Sequence, residues 1–483
     1  MLLGAIPKRH CLLPAFILTL VANLALANGV VTFDGGDGSQ ADPYQISTWA
    51  QLNAIRNDLT AHYLLTTSLG PSDDGYSTYA SATANAGQGW LPIGGGFPNE
   101  FTGSFDGGEN TIAGLIINRP SLRYTGLFGF YRPPSEQPSF QIKDIGLRDI
   151  NIVGGETTGG LVGKVGFSGP EYRIERAYVD GGSVSGTLYV GGLIGDLDNE
   201  RARKIYASVD VAGLDEVGGL IGRHTGTLED CFALGSVSIS DPDGIPDEPR
   251  GIGGLIGWSG RSVTRCYATG EVNPAGAETL TGGLFGTSIS SVVNSKSYWD
   301  VSTTGQTSGN GRVDEQANGL DSSGMRQLDQ IATSWDFENV WTITDPATGL
   351  ASYPYLRSMP MSPPPGLTGE PAAPTITAPA DDATDVDVVP TLTWTSALLA
   401  NAYELEIETA DGLTTVYQGS VDATSFTPEM LQGNTMHRWR VRGVNSLLDP
   451  DAPDLGPYSA FFNFTTGPRP DEIFSARFQA TGP

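Results

Sequence analysis

Gly159-Gly160-Leu161-Val162-Gly163 is the stretch that decides the fold, because the same phrase keeps returning. It is GGLIG at Gly191 to Gly195, Gly218 to Gly222 and Gly253 to Gly257, GGLFG at Gly282 to Gly286, and a degenerate TGLFG at Thr125 to Gly129 comes first. The repeat leucines Leu127, Leu161, Leu193, Leu220, Leu255 and Leu284 are separated by 34, 32, 27, 35 and 29 residues. Self-similarity at a period of this size marks a solenoid or a propeller.

A second run follows each phrase: ERAYVDGGSVSG from Glu175, KIYASVDVAG from Lys204, EDCFALGSVSI from Glu229, TRCYATGEVN from Thr264 and SKSYWDVS from Ser295. One repeat is therefore two short β-prone runs with glycine and polar residues between them, and it holds no helical pattern long enough to cover a sheet. Its apolar residues must be buried by stacking like strand on like strand. The expected fold is all-β, a parallel β-helix or solenoid over about Phe101 to Trp299 with the repeat leucines in one inward column. The paired glycines are assigned to tight corners where φ is positive.

These GGLxG phrases alternating with CYATGEV-like strands resemble the GLUG repeat of bacterial surface and secreted proteins. The lead-in GGDGSQADPYQISTWAQLNAIRNDL, GWLPIGG and FTGSFDGGENTIAGL agrees with this, as do the closing SYWDVSTTGQTSG and WTI…YPYLR. The resemblance spans roughly Asp34 to Arg357 and implies an architecture and a surface setting rather than a reaction. GLUG repeats accompany adhesins and some peptidases, but no His-Glu-x-x-His is present, so a peptidase zinc site is not implied here. A Gly-x-Ser-x-Gly elbow and a phosphate loop are absent as well.

The 483 residues leave room for two or three domains, and 54 acidic against 27 basic residues give a net charge of −27. Such a surface repels polyanions, which makes nucleic acid and anionic membranes poor partners; no nucleic acid partner is expected. In chain order, residues 1–27 read as a signal peptide: Lys8 to His10, an apolar run from Cys11, and a small-x-small end at Ala25 to Ala27. Its removal is expected to leave no transmembrane segment, and the expected location is secreted or at the cell surface. Residues 28–124 form an N-terminal cap and the first solenoid strands. Their helix, Thr48 to about Leu59, opens with a Thr48/Gln51 capping box. Residues 125–300 hold the repeats, with insertions at Arg132 to Gln141 and Asp241 to Arg250, and 301–357 are a segment closing the C-terminal end with Trp335, Phe337, Val340, Trp341 and Ile343. A proline-rich linker, 358–374, leads to 375–467, whose alternating runs around Trp394, Tyr403, Trp439 and Phe461 resemble a fibronectin type III module, an antiparallel β-sandwich. Residues 468–483 are a tail.

Four arrangements are candidates for chemistry. Arg176, Lys204, Asp230, Arg265 and Lys296 precede the inward site of each second strand and are expected to form an outward charge ladder, able to meet an acidic polysaccharide or simply solvated. The inward column Ala177, Ile205, Cys231, Cys266 and Ser297 stacks two cysteines one coil apart. They are read as buried thiols packing as small hydrophobes, with a disulfide allowed by distance but disfavoured by side chains pointing the same way. Tyr178, Tyr206, Phe232, Tyr267 and Tyr298 form an aromatic column. Facing out, it is a ridge that binds sugar faces or protein; the alternatives are a covering loop or rings turned inside. Asp241, Asp243, Asp247 and Glu248 around Gly244 resemble the Asp-x-Asp-Gly loops of extracellular calcium repeats, so calcium is the one cofactor considered, against a solvated acidic loop. The expected function is a non-catalytic structural and adhesive protein with a glycan or protein surface ligand. The alternative is an extracellular polysaccharide lyase or hydrolase on the same scaffold.

Overall fold

The computed structural model describes residues 31–469 except 135–140, 167–171, 241–250, 262, 275–279, 290–293, 313–317, 332–334, 345–351, 360, 362–364, 366–370, 396, 398, 401, 422 and 446–452. The proposed signal peptide, most of the first insertion, all of the second and the tail beyond Arg469 lie outside the described residues.

The chain is a parallel β-helix followed by an antiparallel β-sandwich. Each full coil contributes to three parallel sheets. In the coil of Leu220, Val217–Gly218 belongs to a short sheet, Gly219 and Leu220 turn the corner, Ile221–His224 belongs to a second sheet, and Thr227–Ala233 belongs to a third, wider one. The GGLxG phrase is thus a corner flanked by strand ends rather than a strand. All six repeat leucines are 0% exposed, the inward column expected from their spacing. Each such burial contributes roughly 1.5 to 3 kcal/mol.

The phrase glycines do not have the expected positive φ; the described positive-φ residues lie elsewhere. A Cβ on Gly218 would sit 2.2 Å from the Ile221 carbonyl oxygen, one on Gly219 2.2 Å from that of Gly254, and one on Gly222 2.4 Å from the Val190 nitrogen. Glycine recurs because neighbouring backbone occupies the place of a side chain. The left-handed conformation instead falls on Asp144, Arg176, Lys204, Asp230, Arg265 and Lys296, with φ of 54°, 48°, 51°, 53°, 55° and 62°. This column bends each long strand, as Arg176 does between Glu175 and Ala177, both of which are buried. A non-glycine residue there costs on the order of 1 to 3 kcal/mol and persists only where its surroundings hold it.

The stack begins before Phe101. Tyr44–Ile46 pairs in parallel with His62–Leu65, which pairs with Ser104–Asp106, and that strand pairs with Ile142–Val153. The amphipathic helix lies between the first two of these strands. It is shorter than expected, Trp49–Ala54, and gives way to a 3-10 turn at Ile55–Asn57. The Thr48/Gln51 capping box is formed on both sides. At the far end Trp299 is fully buried, and its ring occupies the space that a Cβ on Gly283, Gly309 or Gly319 would need.

In the C-terminal module, Ile376–Ala378, Leu392–Trp394 and Ser425–Phe426 form one antiparallel sheet. Met436–Asn445, Ala402–Thr409, Thr415–Val421 and Phe462–Thr466 form the antiparallel body of the other. Trp394 and Trp439, with ring centroids 6.0 Å apart, meet in a core with Leu405, Ile407, Val441 and Phe464. On the outer face Glu404, Glu406 and Glu408 pair with Arg442, Arg440 and Arg438 at 2.5 to 2.6 Å.

Candidate functional site

The aromatic column forms, and its rings stack face to face. Tyr178 to Tyr206, Tyr206 to Phe232 and Phe232 to Tyr267 are 4.9, 4.7 and 5.1 Å apart at interplanar angles of 6°, 4° and 8°. It is not the open ridge that ligand binding requires. Tyr206, Phe232 and Tyr267 are at most 2% exposed, in one cluster with Met325, Ile331, Trp335, Trp341, Tyr353, Leu356 and Met359. The segment expected to close the end of the stack lies across its side. Its Trp341–Thr342 and Tyr355–Leu356 strands pair, Tyr267 Oη donates to the Pro354 carbonyl at 2.6 Å, and Trp335 Nε1 donates to that of Lys296 at 2.7 Å. A bare ridge of this size would stay costly in water, and the chain covers it with its own tryptophans. Tyr178 and Tyr298 are half-buried at the margins.

Three of the five ladder residues are held in ion pairs. Arg265 grips Asp230 through Nε at 2.7 Å and Nη2 at 2.8 Å. Arg176 reaches Asp144 of the preceding coil at 2.8 Å and Glu175 at 2.8 Å. Where the ridge ends, a cleft of about 270 Å³ is lined by Glu109, Asp144, Arg176, Tyr178 and Met359, and the Asp144–Arg176 pair is already spent within it. Lys204 and Lys296 form no ion pair among the described residues.

Cys231 and Cys266 are joined by a disulfide, with Cα atoms 4.6 Å apart. The reading as two packed thiols is corrected. Directly paired neighbours in adjacent coils are near enough for a bond, and modest tilts of the two side chains suffice. Both remain fully buried. The proposed calcium ligands Asp241, Asp243, Asp247 and Glu248 lie outside the described residues. Among the described residues no group of three or more His, Cys, Asp or Glu is arranged to hold a metal.

A constellation that the sequence reading missed lies on the two narrower sheets. Register places Phe130, Lys164, Asp196, Arg223, Trp258 and Thr287 in one column across six coils. Asp196 is 2% exposed. Its Oδ2 takes Lys164 Nζ at 2.5 Å and Arg223 Nη1 at 3.6 Å, while Oδ1 has no hydrogen-bond partner among the described residues. Lys164 also reaches Asp198 at 3.1 Å. Arg223 lies between two rings, its Cζ 5.6 Å from the centroid of Tyr189 and 5.4 Å from that of Trp258. All three are half-buried.

Glu216, on the short sheet's approach to Val217, completes the group. It has φ of 47°, and its Oε2 is buried without a hydrogen-bond partner among the described residues. Burial pushes its carboxyl up to about 8, Asp215 and Asp196 add to the rise, and Arg223 opposes it. Burial also raises Asp196, against the pull of Lys164 and Arg223. Two carboxyls held toward their protonated forms, one on strained backbone beside a guanidinium between two rings, are the kind of departure that gathers at working sites. The sequence signal was faint: the column is a single position in each corner phrase's following strand, and its residue type changes at every coil.

No family model matches the chain. The chain is 30% identical over 415 residues to "Halomucin" of Haloquadratum walsbyi, a match covering 82% of this chain and 4% of that protein. It is 32% identical over 242 residues to "Putative Gly-rich membrane protein" of Evansella cellulosilytica, covering 44% of this chain and 24% of that one. The chain therefore spans a small part of the length of either relative. Among solved structures it is similar to "a putative immunoglobulin A1 protease from Bacteroides ovatus", with 17% identity and a TM-score of 0.49 over 68% of this chain and 95% of that one.

Proposed function

We propose that this chain is a structural and adhesive part of a secreted or surface-displayed protein, a non-catalytic β-helix that holds a glycan or protein surface ligand. The observation that carries the reading is the half-buried Tyr189, Arg223 and Trp258 strip. It offers ring faces and guanidinium donors on a rigid stack of coils, and binding faces use such amphipathic anchors. The GLUG and fibronectin type III resemblances support the surface setting, as does the word "membrane" in one relative's name. No helix among the described residues is long and apolar enough to cross a membrane.

Probing a glycan and protein array with the purified chain, beside Arg223→Gln, tests this reading. Binding that the substitution weakens at least tenfold is expected; an array that stays blank, or binding indifferent to Arg223, overturns it. The second reading, a polysaccharide lyase or hydrolase, is favoured by one observation: Asp196 and Glu216 are two neighbouring carboxyls, and Glu216 holds its proton near neutral pH, as a general acid must. Release of reducing or unsaturated ends from a polysaccharide, abolished by Glu216→Gln, would establish that reading in place of the first.

A further inference from the structure

We infer that the Tyr189, Arg223 and Trp258 strip is a subsite for neutral, hydroxyl-rich sugar units. The inference rests on the glycan-binding reading above and narrows it to one chemical class.

The charge balance of the site argues first. Lys164 spends its charge on Asp196 and Asp198 at 2.5 and 3.1 Å, so two cations, Lys164 and Arg223, face two carboxylates. Glu216 is mostly protonated at neutral pH, because burial raises its carboxyl to about 8. With Asp215 also beside Glu216, the site has no excess of positive charge to draw a polyanion, and a chain of net charge −27 repels one. A cationic ligand meets the Arg223 and Lys164 charges themselves.

The donor geometry argues next. Among the described residues Arg223 makes one ion pair, the long 3.6 Å contact to Asp196, so most of its five N–H donors are not taken up by the protein. The rings of Tyr189 and Trp258 restrict where the guanidinium can point, which lowers the ordering cost of binding. Asp196 lies buried beneath and anchors Lys164 and Arg223 from below; it is a positioning residue. The surface left for a ligand is the exposed part of the Tyr189 and Trp258 rings beside a guanidinium side chain that is 31% exposed, with Asp196, Arg223 and Trp258 on successive coils spanning about 10 Å. A neutral sugar matches it: its C–H face packs on a ring, and its hydroxyl rim accepts from the guanidinium.

The test is isothermal titration of the full chain with mannan, xylan, laminarin and dextran as neutral polymers, and with alginate and polygalacturonate as anionic ones. Arg223→Gln, Trp258→Ala and a distant control, Glu109→Gln, are run beside the wild type. Binding of at least one neutral polymer is expected, weakened tenfold or more by the first two variants and unchanged in the control. If Trp258→Ala fails to fold, Trp258→Phe, which keeps a smaller ring, takes its place. Binding confined to the anionic polymers and lost in Arg223→Gln overturns this inference while leaving adhesion standing. Neutral binding indifferent to both variants overturns the site. Silence from all six polymers overturns the inference, and the protein arm of the array then decides adhesion separately.

Discussion

Trp341 Nε1 donates to Asp230 Oδ1 at 3.0 Å across 111 residues of chain, and the same oxygen accepts from Arg265 Nε at 2.7 Å. One carboxylate thereby ties the tryptophan cover to the column of left-handed residues that bends every coil. The cover and the bend are mechanically one unit, and a cation ladder open to an acidic polymer does not exist at this point.

Replacing Trp341 separates the contributions of packing and hydrogen bonding. Trp341→Ala removes a fully buried side chain and is expected to cost about 3 to 5 kcal/mol. Trp341→Phe, which keeps most of the apolar contact, should cost about 1 to 3 kcal/mol through the lost partner of Asp230. Urea unfolding with a dye that reports exposed apolar surface checks both. A Trp341→Ala protein as stable as wild type, with no gain in dye binding, would place the cover elsewhere in solution.

Leu220→Asp tests the stack itself. Coils of a solenoid are stabilised mainly by their neighbours, and an unpaired carboxylate in place of a 0% exposed leucine is far more costly than a lost methyl. The expected outcome is cooperative loss of the β-helix signal in circular dichroism at a temperature where the wild type is folded. An unchanged melting curve would sink the inward leucine column.

Stability should also depend on pH through Glu216. Its folded value, about 8, lies above its ordinary one, so the folded state binds the extra proton. The stabilisation is full below about pH 4.5 and is lost as pH rises through about 8. Glu216→Gln, neutral at every pH, should therefore gain on the wild type between pH 5 and 9 by on the order of 1 to 4 kcal/mol. Parallel urea curves at pH 5, 7 and 9 give the difference, and a constant one would mean that Glu216 titrates normally.

The Cys231–Cys266 bond closes a loop of sequence separation 35. Breaking it with Cys231→Ser/Cys266→Ser should cost roughly 3 to 4 kcal/mol in the chain-entropy account. Thiol titration of the denatured, unreduced protein without residues 1–27 should find neither cysteine free. Two titrating thiols would restore the reading as packed hydrophobes.

Much of the fold was readable from local pattern. The leucine period predicted the inward column, and the alternation of residues in the second runs predicted which positions share a column. Thr48 and Gln51 announced their cap, and Trp394 and Trp439 marked the core of the sandwich. All of these are properties of spacing, and the repeat makes spacing a three-dimensional coordinate: a residue's place in its coil fixes its neighbours above and below. The disulfide lay at the limit of that logic, since the register placed Cys231 beside Cys266 but left the side-chain tilt open.

What spacing does not encode is what crosses between coils and segments. The aromatic column was foreseen, yet Trp335 and Trp341 reach Phe232 and Tyr267 only because the chain beyond the last coil doubles back along the stack. The same holds for Asp196, Glu216 and Arg223. Asp196 lies one coil before Glu216 and Arg223, and the carboxyls depart from ordinary values chiefly because folding withdraws water from them. Sequence by itself determined a stack of coils and the inside of each one, because burial of apolar side chains follows a period. Tertiary structure alone decided which outer face is covered and which is left uncovered, because that depends on long-range packing and desolvation, which no local pattern carries.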